Sequence, residues 1–113
     1  MKKRILWILT GGTFSCAATK SGLAPCSSKE QAEKILSLMP RISRKYDVTP
    51  LVLMNIDSSD MTTADHKRIG DTIDENIRKY DGMVITHGTD TMAYTAATLS
   101  VMIENPPIPV VLT

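Results

Sequence analysis

The feature that most constrains the fold is an alternation of short, continuous apolar runs with longer segments of helical periodicity. The first run, Ile5 to Leu9, is apolar at every position and is closed by Gly11 and Gly12. A run of this kind is typical of a strand that is buried on both faces, as in a parallel sheet. The repeated order of strand and helix signals predicts an α/β protein built from β-α-β units.

Three further strands are predicted, from about Asp47 to Met54, from Met83 to Thr86 and from Val110 to Leu112. The second strand contains Pro50, which has no N–H to donate to a neighbouring strand. This residue predicts that the strand lies at an edge of the sheet or is interrupted.

Helices are predicted over about residues 29–39, 62–79 and 91–104. Ser28 with Gln31, and Thr62 with Asp65, have the spacing of helix-start pairs, and Pro40 is expected to end the first helix. The last helix is apolar on most sides, so we expect it to be well buried. We expect the segment from Gly11 to Ser28 to be a loop, long enough to be functional or mobile.

Charge and composition exclude several classes of protein. Thirteen basic and twelve acidic residues give a net charge of +1, and their mixing along the chain argues against binding to nucleic acid or to a membrane surface. The five-residue apolar run near the N-terminus is short of the roughly 7–15 residues in the apolar region of a signal peptide. Cys16 and Cys26 show no metal or redox spacing and are expected to be free thiols. We therefore expect a cytoplasmic location.

Polar residues follow each of the first three strands, at residues 10–13, 57–60 and 86–91. Because the carboxyl ends of parallel strands lie at one edge of a sheet, these clusters are expected to meet there. Glycine lets the backbone approach a ligand closely, and a threonine hydroxyl can attack a carbonyl group when a base accepts its proton. Each cluster alone is more often a turn or a helix start, but together they predict a small-molecule site.

Other kinds of site have less support. His66 and His87 lie twenty-one residues apart, which is not a metal-ligand spacing, so no metal is expected. The glycines do not form the GxGxxG fingerprint of dinucleotide binding.

The same residues carry a resemblance to a known family. Thr10-Gly11-Gly12-Thr13 resembles the TGGT motif of bacterial-type L-asparaginases, and residues 57–62 resemble their middle loop. Residues 81–97, which contain HGTDTMAYTAA, resemble their second signature, and residues 109–113 resemble the strand that follows. The sequences of these motifs are most similar to those of the cytoplasmic, type I branch. The resemblance implies that residues 1–113 are a partial, Rossmann-like N-terminal domain, truncated before the C-terminal domain.

The resemblance also implies a reaction, the hydrolysis of L-asparagine to L-aspartate and ammonia without a cofactor. Thr13 would be the nucleophile, and Thr89 would lie opposite and help to activate it. Asp90 would hold the α-ammonium group through a charge-assisted hydrogen bond, and Ser58 would hold the α-carboxylate with Ser59 beside it. Backbone N–H groups near Gly12 and Thr89 would form the oxyanion hole. The implied substrate-binding set is Gly12, Ser58, Ser59, Gly88, Thr89 and Asp90.

Two departures from the family pattern affect the expected activity. Leu23 stands where many members have a tyrosine that assists the nucleophile, and leucine cannot relay a proton. The family also places a catalytic lysine well downstream of residue 113, and general base catalysis typically contributes roughly 10²–10⁴-fold. We therefore expect little or no activity from this chain alone.

Two alternatives to an enzyme fit the same sequence, namely a non-catalytic truncated domain and an amino-acid-binding Rossmann-like module. A strand at 110–112 that closes the chain without a further partner would leave an exposed edge. For this reason we expect a homo-oligomer.

Overall fold

The computed structural model describes residues 1–12 and 28–113 in full, and the backbone of two short strands between them. In chain order the elements are β1 (Lys3–Leu9), β2 (Cys16–Thr19), β3 (Gly22–Pro25), α1 (Lys29–Ser37), α2 (Pro40–Lys45), β4 (Tyr46–Val52), a 3-10 helix (Ser58–Asp60), α3 (Thr63–Asn76), β5 (Gly82–Thr86), α4 (Met92–Met102) and β6 (Val110–Leu112).

Four of the strands form one sheet in the order β4-β1-β5-β6, and every neighbouring pair is parallel. The predicted α/β parallel-sheet fold is thereby confirmed. Pro50 lies in β4 opposite Trp7 of β1, and β4 is an edge strand of the described sheet, as the proline predicted. The missing N–H of Pro50 therefore removes no central ladder bond.

The central strand β1 is buried on both faces, as its continuous apolar run predicted. Leu6 and Ile8 point to one face, where they pack with residues of α3 and α4 in the larger core cluster. Trp7 and Leu9 point to the other face and pack against Ala32 of α1. Helices on both faces therefore hold the sheet in place, and this rigid scaffold positions the loops that follow its strands.

The predicted helix starts are confirmed. Ser28 is the N-cap of α1, and its side chain accepts a hydrogen bond from the Gln31 backbone N–H at 3.2 Å. Thr62 and Asp65 form a complete capping box at the start of α3. Because the box satisfies otherwise free N–H groups, α3 begins at a defined residue beside the loop of residues 57–61.

The first predicted helix does not reach its predicted end at Pro40. Helix α1 ends at Ser37, and Pro40 instead begins α2. Proline is favoured at the first helical position because its missing N–H has no partner there and its φ is already helical. The proline thus starts a helix that the sequence did not reveal.

The interpretation of residues 11–28 as one loop is wrong for two short stretches. Strands β2 and β3 pair in antiparallel fashion, with Cys16 opposite Pro25 and Thr19 opposite Gly22. Alanine, glycine and proline have low strand propensity, so no strand was predicted here. The side chains of Cys16 and Leu23, and the whole of Cys26, lie outside the described residues.

The prediction that α4 is well buried is also wrong for this chain. Only Thr95 and Leu99 of the helix are buried, whereas Tyr94 and Val101 are 71% and 80% exposed. A helix that is apolar all round carries no sequence signal for which face is covered. In this fold one face of α4 packs on α3 and the sheet.

Among the described residues, no helix has the length and apolar character needed to cross a membrane.

Candidate functional site

The three polar clusters meet at the carboxyl edge of the sheet. A Cβ atom added to Gly12 would lie 3.0 Å from the Gly88 nitrogen, and one added to Gly88 would lie 2.7 Å from the Ser58 Oγ atom. The loops after β1, β4 and β5 are therefore in direct contact, and the two glycines provide the room for it.

Backbone geometry after β1 requires glycine at two consecutive positions. Gly11 and Gly12 have φ values of +123° and +88°, where residues with a Cβ are strained. A Cβ at Gly11 would also collide with the Ile56 carbonyl oxygen. The Ile56 N–H in turn donates to the Thr10 carbonyl at 3.1 Å, so this turn is clamped to the segment after β4.

Buried hydrogen bonds form a floor beneath the convergence point. The Thr10 hydroxyl donates to the Thr86 carbonyl at 2.8 Å, and the Trp7 indole N–H donates to the Thr86 hydroxyl at 3.1 Å. Buried hydrogen bonds of this kind favour one arrangement of these side chains, because breaking any of them leaves a buried polar group without a partner. The ends of β1 and β5 are thereby locked together.

The segment after β4 presents two serines in different environments. Asp57 accepts from the Ser59 N–H at 3.0 Å and from the Ser59 hydroxyl at 2.7 Å. These bonds to the carboxylate hold the pKa of Asp57 below its ordinary value. Ser59 is exposed, whereas Ser58 is 3% exposed. The Thr91 hydroxyl donates to the Ser58 carbonyl at 2.7 Å, so the start of α4 holds Ser58 in place.

The remaining predicted residues are distributed unevenly around this point. Thr89 and Asp90 are exposed and lie just before α4, next to Gly88. Asp90 is therefore accessible to solvent, two positions after Gly88. Thr13 lies outside the described residues, one position beyond Gly12. Among the described residues, no group of three His, Cys, Asp or Glu side chains is arranged to hold a metal ion.

A buried histidine network under the site was missed by sequence reasoning. His87 contacts the Gly88 carbonyl through Nδ1 at 2.6 Å and the Thr95 hydroxyl through Nε2 at 2.8 Å. His66 of α3 reaches the same hydroxyl through Nε2 at 2.9 Å. A signal was present, since Thr95 follows Thr91 by one helical turn and shares its face. A polar pair on one face of an apolar helix indicates a buried hydrogen-bonded contact.

The fold and the site together define an α/β protein in which three polar loops are in contact at the carboxyl edge of a parallel sheet. The sequence matches the family described as Asparaginase, N-terminal, over residues 4–113. The chain therefore belongs to the asparaginase family, as the motif resemblance predicted.

Named relatives agree with this assignment. The chain is 43% identical to L-asparaginase 1 of Escherichia coli over 119 aligned positions, which cover 99% of this chain and 33% of that protein. It is 53% identical to the 60 kDa lysophospholipase of Mus musculus over 133 positions, which cover 99% of this chain and 24% of that protein. The chain thus spans about a third or less of the length of these relatives.

Solved structures give the same result. The thermostable L-asparaginase from Thermococcus kodakarensis superposes with a TM-score of 0.84 at 42% identity, over 96% of this chain and 33% of that one. The probable cytoplasmic L-asparaginase from Campylobacter jejuni superposes with a TM-score of 0.80 at 34% identity, over 98% of this chain and 32% of that one. The described fold is therefore shared with L-asparaginases over about a third of their length.

Proposed function

We propose that this chain supplies the nucleophile-bearing part of a site that hydrolyses L-asparagine to L-aspartate and ammonia. The observation that carries the proposal is the direct contact of Gly12, Ser58 and Gly88 at one edge of the sheet. Thr13 follows Gly12 in the chain, and Thr89 follows Gly88. The sequence therefore puts a threonine directly after each of the two glycines that meet here, and we propose that a small amide binds at this point.

The reaction proceeds in two steps through a covalent intermediate. The Thr13 hydroxyl attacks the side-chain amide carbon of asparagine, and the amide nitrogen leaves with a proton as ammonia. Water then attacks the resulting ester, releasing aspartate and restoring the threonine. N–H groups of the Gly12 and Thr89 region stabilise the oxyanion that forms in each step.

Charge and hydrogen bonding support an α-amino acid as the substrate. Asp90 offers an exposed carboxylate that is matched to an α-ammonium group. Within residues 1–12 and 28–113, no group hydrogen bonds to the Ser58 hydroxyl, although the residue is almost fully buried beside Gly88. That hydroxyl is available to donate to an α-carboxylate. The hydroxyl of neighbouring Ser59 is already donated to Asp57.

The name of the mouse relative suggests a competing reaction, the hydrolysis of a lysophospholipid. The described groups favour the amino acid as substrate, because Asp90 can pair with its charged ammonium group and Ser58 with its carboxylate.

We further propose that the working protein is cytoplasmic and homo-oligomeric. We expect the 113-residue chain to release little ammonia, because the family's catalytic lysine lies downstream of these residues.

The sharpest test is a chimera in which residues 1–113 replace the matching third of Escherichia coli L-asparaginase 1. The purified chimera should release ammonia from L-asparagine. The Thr13→Ala chimera should lose at least about 10³-fold of that rate, the order expected when a nucleophile is removed. Thr98→Ala is the matched control, because Thr98 lies on α4 and, among the described residues, its hydroxyl bonds only within its own helix.

The outcomes separate the proposal from its alternatives. A folded chimera that binds L-aspartate but releases no ammonia would favour the amino-acid-binding module. A Thr13→Ala chimera with full activity would exclude Thr13 as the nucleophile.

A further inference from the structure

The peptide between Gly88 and Thr89 rests on a buried chain of polar side chains. The chain runs from the Gly88 carbonyl through His87 and the Thr95 hydroxyl to His66, with successive distances of 2.6, 2.8 and 2.9 Å. His87 is 5% exposed and Thr95 is fully buried. The chain links three elements, because His66 lies on α3, Thr95 on α4, and His87 directly after β5.

Met61 Sδ, which can only accept, also lies 3.1 Å from His87 Nε2 and 3.4 Å from the Thr95 hydroxyl. For a neutral His87 ring, the shorter contacts at 2.6 and 2.8 Å select one order of protons along this chain. A carbonyl oxygen only accepts, so His87 Nδ1 must carry the proton that it donates to Gly88. The other ring nitrogen of a neutral imidazole is then an acceptor, so the Thr95 hydroxyl donates to His87 Nε2. A hydroxyl has one proton, and therefore Thr95 accepts from the Nε2–H of His66.

This order fixes the direction of the Thr89 backbone N–H. In a trans peptide, the carbonyl and the following N–H point in opposite directions within one plane. The buried His87 ring holds the Gly88 carbonyl inward, so the Thr89 N–H points outward. Among the described residues, no backbone carbonyl accepts a hydrogen bond from that N–H.

We propose that His87 is a positioning residue that orients the Thr89 N–H towards the substrate, and that Thr95 and His66 hold His87 in its Nδ1–H tautomer. The proposal rests on the proposed function, in which this N–H stabilises the oxyanion. The opposite tautomer would place a nitrogen lone pair against the Gly88 carbonyl oxygen. Repulsion between the two acceptors would turn the peptide and move the N–H away from its working direction.

The first test needs no substitution. A nitrogen-15 NMR spectrum of the two histidine rings, recorded over a series of pH values, reports which ring nitrogen carries the proton in the neutral form. We expect His87 to be protonated at Nδ1 and His66 at Nε2. His66→Gln assigns the two rings by removing one set of signals. A His87 ring protonated at Nε2, or an even mixture of its tautomers, would overturn the proposal.

The second test asks whether the chain controls the peptide. Thr95→Val removes the hydroxyl at nearly constant volume, and Thr95→Ser keeps it. We expect Thr95→Val to shift both the Gly88 carbonyl carbon and the Thr89 nitrogen, which carbon-detected NMR reads without interference from hydrogen exchange. Thr95→Ser should restore the wild-type shifts. Unchanged shifts in a folded Thr95→Val chain, or shifts that Thr95→Ser fails to restore, would overturn the proposal.

Thr98→Val is the matched control. It is the same substitution on the same helix, and in the described part of the chain the Thr98 hydroxyl bonds only to the Tyr94 carbonyl. It should leave both shifts and both tautomers unchanged, and a shift as large as that of Thr95→Val would contradict a specific role for Thr95. None of these measurements depends on turnover. An inactive chimera would therefore count against the proposed function and leave the tautomer result standing.

Discussion

Two structural features, its backbone conformation and a close contact with Gly88, both require glycine at position 12. Its φ of +88° lies in the left-handed region, and a side chain there would also press on the Gly88 backbone, which cannot move away as a flexible side chain could. The site therefore depends on the absence of a methyl group at this position.

We predict that Gly12→Ala lowers the free energy of unfolding by about 1–2 kcal/mol, the usual cost of a left-handed alanine, and more if the Gly88 contact cannot relax. Urea denaturation of both chains measures the difference. Gly82→Ala is the control, because Gly82 has no positive φ and its added Cβ would lie 3.2 Å from the end of the flexible Ile5 side chain and at an ordinary 3.8 Å from the Pro109 carbonyl oxygen. Equal losses from the two substitutions would contradict the prediction.

At the scale of elements, α3 offers two separable tests. Gly70 lies inside this helix, where glycine costs roughly 0.5–1 kcal/mol relative to alanine. A Cβ there would come within 2.6 Å of the Met102 methyl group, which ends a flexible and partly exposed side chain.

We predict that Gly70→Ala stabilises the protein by about 0.5–1 kcal/mol, because Met102 can move aside and the helix gains propensity. Thermal and urea denaturation measure the change. If the substitution destabilises the chain, Met102 is held more firmly than its exposure suggests. The double variant with Met102→Ala would then restore the expected gain.

The capping box at the start of α3 predicts a pH dependence of stability. Hydrogen bonds from the backbone and side chain of Thr62 lower the pKa of Asp65 from its ordinary 3.8. A carboxyl group whose pKa is depressed on folding stabilises the protein above its unfolded pKa. That contribution is lost as the pH falls through the folded pKa.

We therefore expect Asp65→Asn to be less stable than the wild type at pH 7, and we expect the gap to narrow well below pH 3.8. Urea midpoints at pH 7 and pH 3 measure the two gaps. Asp74→Asn is the control on the same helix, and it should show no comparable gap at pH 7. A gap for Asp65→Asn that is unchanged at pH 3 would exclude the carboxylate as its origin.

At the scale of the whole molecule, the sheet has an unpaired edge in the described part of the chain. Pro109 and Thr113 bond to β5 through their backbone groups. The alternation of a parallel ladder therefore points the backbone groups of Val110 and Leu112 away from β5. Val111 of the same strand is 49% exposed. Such an edge is a template for pairing with another chain.

We predict that the 113-residue chain self-associates and that Val111→Lys shifts it towards monomer, because a charge on an edge strand opposes pairing. Light scattering at increasing concentration measures the mass. Val101→Lys is the control, since Val101 is equally apolar and more exposed, on α4. Dispersal by Val101→Lys alone would locate association on the helix, and a wild-type chain that is monomeric at high concentration would contradict the prediction.

Much of the architecture was predictable from local patterns. The apolar run of β1 predicted a strand buried on both faces, Pro50 predicted an edge strand, and the Thr62–Asp65 pair predicted where α3 begins. These signals are local because periodicity, proline geometry and capping each depend on a few neighbouring residues. Pro40 failed as a stop signal because the same geometry that ends one helix can begin another.

The sequence by itself determined the fold class and the position of a polar cluster after each of the first three predicted strands. It also determined membership of the asparaginase family, because the family motifs are made of contiguous residues. Only the tertiary structure decided that α4 leaves one face exposed and that Ser58 is buried while Ser59 is not. It also decided that His66 and His87 both contact the Thr95 hydroxyl. The physical reason is distance along the chain. His66 and Thr95 are separated by 29 positions, and no local pattern records which of two faces a third element will cover.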